Sequence, residues 1–319
     1  MSNNESYMET EYANSVFEQP WWLETVAKGS WYECIVKKDD KVIARLPYAM
    51  YGKWIRNPKF TQTLGIWMDE SLKKFERGNT QLFRQKEVIR ELLGQLPKHK
   101  GISVTLDSSE SYVLPFRWHG FRIEPTFSYR IEYGRDFEEV KKNFGKHVQR
   151  DAAKAVNKKI SIETGSKDYK TFLSLLDMSF ERQKRKNPMD SEMVMKILSR
   201  AIETGHGELM LAKDEEGHTH SGVFFLYDDK VCYYLLGGQN PQYKNSSSQD
   251  LLLYKGIEFG ATVSKAFDFE GSMIEGIENF FRKFGGKQVI NYHIIRQPFL
   301  YDVMDLAKLK IKKLIGYKI

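Results

Sequence analysis

Phe267-Asp268-Phe269-Glu270-Gly271-Ser272 decides how this chain is read. Aromatic and acidic residues alternate, so a strand here places Phe267 and Phe269 on one face and Asp268 and Glu270 on the other. The carboxylates then stand at the strand's C-terminal end, where open α/β sheets bind ligands. Just before it, Ser248–Ala261 reads as a helix. Before that, His220–Leu226 and Lys230–Gly237 read as strands joined at Tyr227-Asp228-Asp229. A helix inserted between strands after an antiparallel meander indicates a mixed α/β sheet.

Working outward, helix Gly276–Phe284, strand Val289–Ile295 and helix Phe299–Leu314 follow. Upstream, strand Glu208–Lys213 is preceded by helices Tyr169–Arg182 and Ser191–Thr204 and a short strand, Ile160–Glu163. Phe137, Val140, Phe144, Val148 and Ala152 recur every three or four residues, so Asp136–Asn157 reads as one amphipathic helix. Its other face is basic, with Lys141, Lys142, Lys146, Arg150 and Lys154. The first part of the chain has a shorter version of the same order. Trp31–Lys37 and Lys41–Met50 form a hairpin about Lys38-Asp39-Asp40, Thr80–Leu96 is a helix, and Ile102–Leu106 and Tyr129–Tyr133 are strands. The length also favours two domains. The expectation is two similar α/β lobes, 1–134 and 135–319, each a mixed, mostly antiparallel sheet flanked by helices.

Composition excludes several classes. With 41% hydrophobic and 29% charged residues the chain is ordinary globular protein, away from the disordered range. No apolar run approaches a membrane span. The polar, acidic stretch Met1 to Tyr12 lacks the basic and apolar regions of a signal peptide, so a cytoplasmic protein is expected. Cys34 and Cys232 lie in strand-like runs and read as buried hydrophobes, and the seven histidines have no metal spacing. His218 and His220 flank a turn and read as a solvated loop. No metal is expected. A net charge of +7 favours an anionic partner: a nucleotide cofactor, tRNA, an anionic lipid surface or an acidic polysaccharide precursor.

Three stretches carry a family resemblance. Tyr233-Tyr234-Leu235-Leu236-Gly237-Gly238-Gln239-Asn240-Pro241-Gln242-Tyr243, the Phe267–Ser272 stretch, and Phe280-Phe281-Arg282-Lys283-Phe284-Gly285-Gly286 occur in this order with a helix between the first two. Together they resemble the Fem-type branch of the GNAT superfamily: peptidoglycan-bridge aminoacyl transferases and acetyltransferase-like members associated with capsule or cell-wall polysaccharide synthesis. The resemblance implies two GNAT-like lobes and acyl transfer to an amine. Gln149-Arg150-Asp151-Ala152-Ala153-Lys154-Ala155 matches the group's basic helix, which points to Arg150 as a substrate contact. Phe60-Thr61-Gln62-Thr63-Leu64-Gly65 is similar to a loop of its acetyltransferase-like members, which points to Gln62. Two departures stand out. The segment Tyr243-Lys244-Asn245-Ser246-Ser247-Ser248-Gln249 lacks the glycine pair with which ordinary acetyl-CoA enzymes hold pyrophosphate. Phe281 stands where the tRNA-dependent members carry lysine.

Amide formation needs a held acyl carbonyl, an amine able to lose a proton, and stabilisation of an oxyanion. Tyr234, Leu236 and Gly238 should lie where the two central strands of such a sheet part, beside Gln239 as a substrate contact. Asp268 is expected to position the amine and Glu270 to deprotonate it; the plainer reading has Asp268 holding a loop and Glu270 capping the next helix. Tyr292 could donate to a leaving thiolate, or simply be a core tyrosine. Helix 248–261 offers an anion site at its N-terminus, to which Lys244, Ser247 and Ser248 would add contacts, although Ser248 also suits a simple N-cap. Arg182, Lys184, Arg185 and Lys186 are candidate phosphate contacts. The last helix sets Leu306, Leu309, Leu314 and Ile315 against Lys308, Lys310, Lys312 and Lys313, so residues 305–319 could rest on the inner face of a membrane. The leading expectation is an N-acyltransferase that uses acyl-CoA and acts on an amine of a cell-surface polysaccharide precursor, nucleotide- or lipid-linked. A tRNA-dependent bridge-type transferase and a catalytically silent binding protein are the alternatives.

Overall fold

The computed structural model describes residues 9–110, 112–134, 137–182, 184–271, 273 and 275–314. The elements begin with α1 (Pro20–Ala27), β1 (Trp31–Lys38), β2 (Lys41–Tyr51), β3 (Trp54–Arg56), β4 (Trp67–Met68), α2 (Glu70–Lys73), α3 (Thr80–Gln95), β5 (Gly101–Thr105), α4 (Leu114–Trp118) and β6 (Arg122–Glu132). Then come α5 (Phe137–Lys142), α6 (Lys146–Asn157), β7 (Ser161–Glu163), α7 (Tyr169–Glu181), α8 (Ser191–Glu203), β8 (Gly207–Lys213), β9 (Thr219–Tyr227) and β10 (Val231–Gln239). The chain continues through α9 (Ser248–Val263), β11 (Ala266–Asp268), α10 (Glu275–Arg282), β12 (Lys287–Arg296) and α11 (Phe299–Leu314).

Two compact units result, Met1–Phe127 with Val289–Ile319, and Ser128–Gln288. The division differs from the expected cut at residue 134, because strand pairing does not follow chain order. In the first unit the strand order is β1-β2-β3-β5-β12, with β4 also on β2. All of these pairs are antiparallel except β3 with β5. In the second unit the order is β6-β11-β10-β9-β8-β7, and only β10 with β11 is parallel. Each unit thus has one parallel pair bridged by a helix, α3 in the first and α9 in the second, beside which lies an antiparallel strand. That last strand is supplied out of sequence. Residues 293–296 of β12, from beyond the second unit, pair with β5, whereas residues 130–132 of β6, which follow the first unit, pair with β11.

Local chemistry accounts for the elements. The β1–β2 hairpin turns at Asp39 and Asp40, both in the left-handed region with φ of 50° and 60°, which suits a two-residue turn between twisted strands. The Asp190 side chain caps α8 by accepting from the amides of Glu192 and Met193. The helix expected over 136–157 is two helices. Gly145 interrupts it by donating its N–H to the Lys283 carbonyl, 2.7 Å away. A Cβ at residue 145 would stand only 3.1 Å from that oxygen. Val140, Phe144, Val148 and Ala152 are buried on both sides of the break, so the apolar periodicity continues through it. With Phe225, Leu252, Phe267, Phe269 and Phe281 they form the core of the second unit.

Candidate active site

The second unit's parallel pair is short. Val231, Cys232 and Tyr233 pair with Ala266, Phe267 and Asp268, and there β11 ends. Strand β10 runs on to Gln239 paired only with β9, through an irregularity between Tyr234 and Leu236. Beyond Tyr233 one edge of β10 is therefore open towards the chain that leaves β11. A cleft of about 600 Å³ occupies this place, lined by Tyr234, Gly237, Gly238 and Gln239 on one side and Phe269, Glu270 and Gly271 on the other. Gln249 and Asp250 of α9, Lys244, Ser247, Arg182 and the rings of Phe280 and Phe281 complete it.

Asp268 and Glu270, expected together on one face, have different fates. Asp268 is fully buried beneath the turn, and both of its oxygens are engaged. Oδ2 accepts from Arg130 Nε and Nη2 at 3.0 and 2.9 Å. Oδ1 accepts from the Ser128 hydroxyl, and from the Glu270 amide at 2.8 Å. Burial raises the carboxyl above its ordinary value, while Arg130 and the hydrogen bonds pull it back. Asp268 does not line the cleft; it fixes the turn that presents Glu270.

Glu270 and Gly271 are consecutive left-handed residues, with φ of 58° and 67°. For a residue with a Cβ this costs about 1–3 kcal/mol, and such strain persists where surrounding contacts enforce it. Here Asp268 enforces it through the Glu270 amide. Glu270 lines the cleft, yet its Oε1 is enclosed and has no hydrogen-bond partner. Burial, with the Asp268 carboxylate adding to it, raises the Glu270 carboxyl well above the ordinary carboxylate range. The opposite wall carries a second unpartnered atom. Gln249 donates Nε2 to the Tyr234 hydroxyl at 3.1 Å, leaving its enclosed Oε1 without a partner. An enclosed polar atom without a partner costs about 1–3 kcal/mol, and a ligand would supply the missing partner.

The other expected site residues divide. Tyr234, Gly238, Gln239, Lys244 and Ser247 line the cleft. Ser248 does not: its hydroxyl is buried, hydrogen-bonded to those of Ser221 and Ser246, and the N-cap position of α9 falls on Ser247, which makes no side-chain cap bond. Leu236 is buried outside the cleft lining. Gln62 and Tyr292 belong to the first unit. Arg150 is exposed on α6 beside Asp151 and borders a separate depression with Lys154 and Lys158. Arg182 reaches the cleft, whereas Lys184, Arg185 and Lys186 do not line it. Sequence reasoning missed Gln249, and also Ser128 and Arg130. The latter two were accessible in principle, because alternation in β6 puts both on one face. The expected solvated loop at His218 and His220 is also corrected: His220 is buried in β9, its Nε2 3.0 Å from Asp214. Asp214, Glu216 and His218 bring potential ligand atoms within 4.8 Å of one another, but Glu216 and His218 are exposed and Asp214 already bonds both histidines.

Gly238 has a packing role besides its place in the cleft. A Cβ there would fall 2.5 Å from the Leu175 carbonyl carbon and 2.6 Å from its oxygen, so α7 lies backbone-close on β10. Next to it the Gln239 amide donates to Ser179 Oγ at 2.9 Å. Gly238→Ala is expected to destabilise the protein by about 1–3 kcal/mol, the usual cost of overpacking. A chemical denaturation midpoint equal to wild type would refute this contact.

Comparison with known proteins bears on the fold. Residues 142–282 match the family model described as an acetyltransferase (GNAT) domain. No curated protein sequence matches the chain. Among solved structures, FemX is similar with a TM-score of 0.69 at 15% identity, covering 95% of this chain and 98% of that one. The C-terminal domain of a putative lysylphosphatidylglycerol synthetase from Agrobacterium fabrum is similar at TM-score 0.52 and 10% identity, covering 87% and 89%. A tandem GNAT protein from the clavulanic acid biosynthesis pathway gives 0.50 and 10%, covering 83% and 82%. The match to a GNAT acetyltransferase domain lies wholly in the second unit, and the fold of the chain is similar to that of a tandem GNAT protein. Over nearly its whole length the chain shares its fold with FemX.

Proposed function

We propose that the second unit transfers an acyl group to a primary amine, with Glu270 as the base. The observation that carries this reading is the enclosed, unpartnered Oε1 of Glu270 at the point where β10 and β11 cease to pair. A carboxyl with a raised pKa is a stronger base once ionised, and so suits removal of a proton from an ammonium-derived nucleophile near neutral pH. The amine nitrogen bonds to the acyl carbonyl carbon as Glu270 takes its proton. Charge gathers on the carbonyl oxygen, where main-chain donors on the open edge of β10 would meet it. The carbonyl then re-forms, the leaving group departs with the bonding electron pair, and a proton from Glu270 or water neutralises it. Asp268 acts as a positioning residue. The aromatic wall of Tyr234, Phe280 and Phe281 excludes water from the reacting atoms.

The donor in this reading is acyl-CoA. The Gln249 and Asp250 amides in the first turn of α9, which the Ser247 side chain does not cap, together with Lys244 would take its phosphates, the Ser248 amide being bonded to Ser246 Oγ. Asp250 in that turn is ion-paired to Lys283 and so opposes an anion less. The acceptor in this reading is an amine of a cell-surface polysaccharide precursor, which the resemblance of Tyr233–Tyr243, Phe267–Ser272 and Phe280–Gly286 to the Fem-type group supports. Calorimetry with acetyl-CoA and with bulk tRNA tests the donor. Saturable binding of acetyl-CoA is expected. Salt-sensitive binding of tRNA alone would transfer the reading to an aminoacyl-tRNA donor, and binding of neither would leave a silent GNAT protein.

A further inference from the structure

We propose that α11 is the edge by which this protein rests on an anionic lipid surface. Its amphipathicity is turned outwards. Phe299 and Leu300 are 81% and 66% exposed, and Val303 and Met304 one turn later are 43% and 45% exposed. These four share one side of the helix. The opposite side is polar and anchored to the first unit. Asp302 Oδ1 accepts from Arg122 at 2.6 Å and from Gln297 at 3.1 Å, and Asp305 accepts from Gln297 at 2.9 Å. The Tyr301 ring packs edge-on against Trp54, and its hydroxyl accepts from Lys100 at 2.7 Å. The helix is therefore held by its polar side, with large apolar side chains presented to solvent. A monomeric protein rarely leaves a contiguous face of this kind without a use.

Charge selects the occupant. No Asp or Glu follows Asp305, while Lys308, Lys310, Lys312 and Lys313 lie in the last turns of the same helix. A second copy docking about a two-fold axis would pair this lysine-rich segment with an equally basic one rather than with an opposite charge. An anionic bilayer instead receives the apolar side chains at its headgroup boundary and attracts the positive charge of this segment. Trp118, 58% exposed at the end of α4, adds an interfacial side chain on the same unit; the next carbonyl, of His119, accepts from Arg296 at 3.2 Å, three residues before α11. No helix among the described residues is long and apolar enough to cross a membrane.

The test is co-sedimentation of the full chain with vesicles of phosphatidylcholine, with and without phosphatidylglycerol. Partitioning onto the anionic vesicles is expected to be about tenfold or more greater. Phe299→Asp with Val303→Asp should abolish binding to both vesicle types and leave the thermal midpoint unchanged, since both side chains are exposed. Replacing the four lysines by glutamine should remove only the preference for the anionic vesicles. The proposal is overturned if wild type ignores anionic vesicles or if the aspartate variant binds as wild type does. It is equally overturned if light scattering shows a dimer that these aspartates dissociate, in which case a second copy covers the face.

Discussion

Glu270→Gln is expected to lower kcat by about two to four orders of magnitude with little change in KM, the usual loss when a positioned base is removed. The substitution keeps the shape and loses only the ionisable proton, so circular dichroism should match wild type. Two pH measurements separate this from a structural effect. In wild type, kcat/KM should rise with pH along a limb well above the ordinary carboxylate range, because burial raises the Glu270 carboxyl; the glutamine variant should lack that limb. Stability should move in the opposite sense. A carboxyl raised in the folded state binds more protons there than in the unfolded chain, so wild type loses stability as pH climbs from the unfolded value towards the folded one. Glu270→Gln should lack this loss, and its stability advantage over wild type should grow with pH in that window. Wild-type turnover in the variant would end the assignment.

Asp268→Ala is expected to act on folding first. It leaves the Arg130 guanidinium, 17% exposed, without its carboxylate, and it removes the acceptors for Ser128 and the Glu270 amide. Breaking a buried ion pair from one side typically costs about 3–5 kcal/mol. For a chain of this size that is a fall in thermal midpoint of roughly 4–8 °C. The double variant Arg130→Met, Asp268→Leu should regain much of this stability, because apolar replacement of both members is often neutral. It should remain inactive, since nothing then fixes the left-handed turn at Glu270. A single variant within about 1 kcal/mol of wild type would show that the pair does not hold the turn.

Much of this arrangement is legible in the sequence for reasons that are local. Alternation in Phe267–Glu270 depends on neighbouring residues only, and so do the limits of α11. What escapes the sequence is long-range. Phe144 keeps the helical apolar period while sitting in the loop between α5 and α6, so periodicity alone could not reveal the break that Lys283 and Gly145 make. The divergent fates of Asp268 and Glu270 depend on β6, more than a hundred residues upstream, whose Arg130 engages one carboxylate and leaves the other unpaired. Gly238 reads as a glycine that admits a ligand, yet it also serves the close approach of α7. Gln249 has no local signature, because its importance lies in an oxygen that the fold encloses without pairing.

The out-of-order strands bear on how this protein could be divided. A cut after residue 134, natural from chain order, would strip β12 from β5 and leave an unpaired edge, a template for aggregation. The fragment from 135 onwards would contain every residue lining the cleft and the whole matched domain, yet it would lack Ser128 and Arg130. Asp268 would then be a buried acid without its cation, and the turn carrying Glu270 would have nothing to hold it. A cut at residue 134 that lets the two pieces separate is therefore expected to abolish function without touching any residue of the cleft, whereas a cut between Phe127 and Ser128 keeps Arg130 with Asp268. By the same reasoning, gene fusions or permutations of this protein should keep 128–132 covalently joined to the segment that ends at 288.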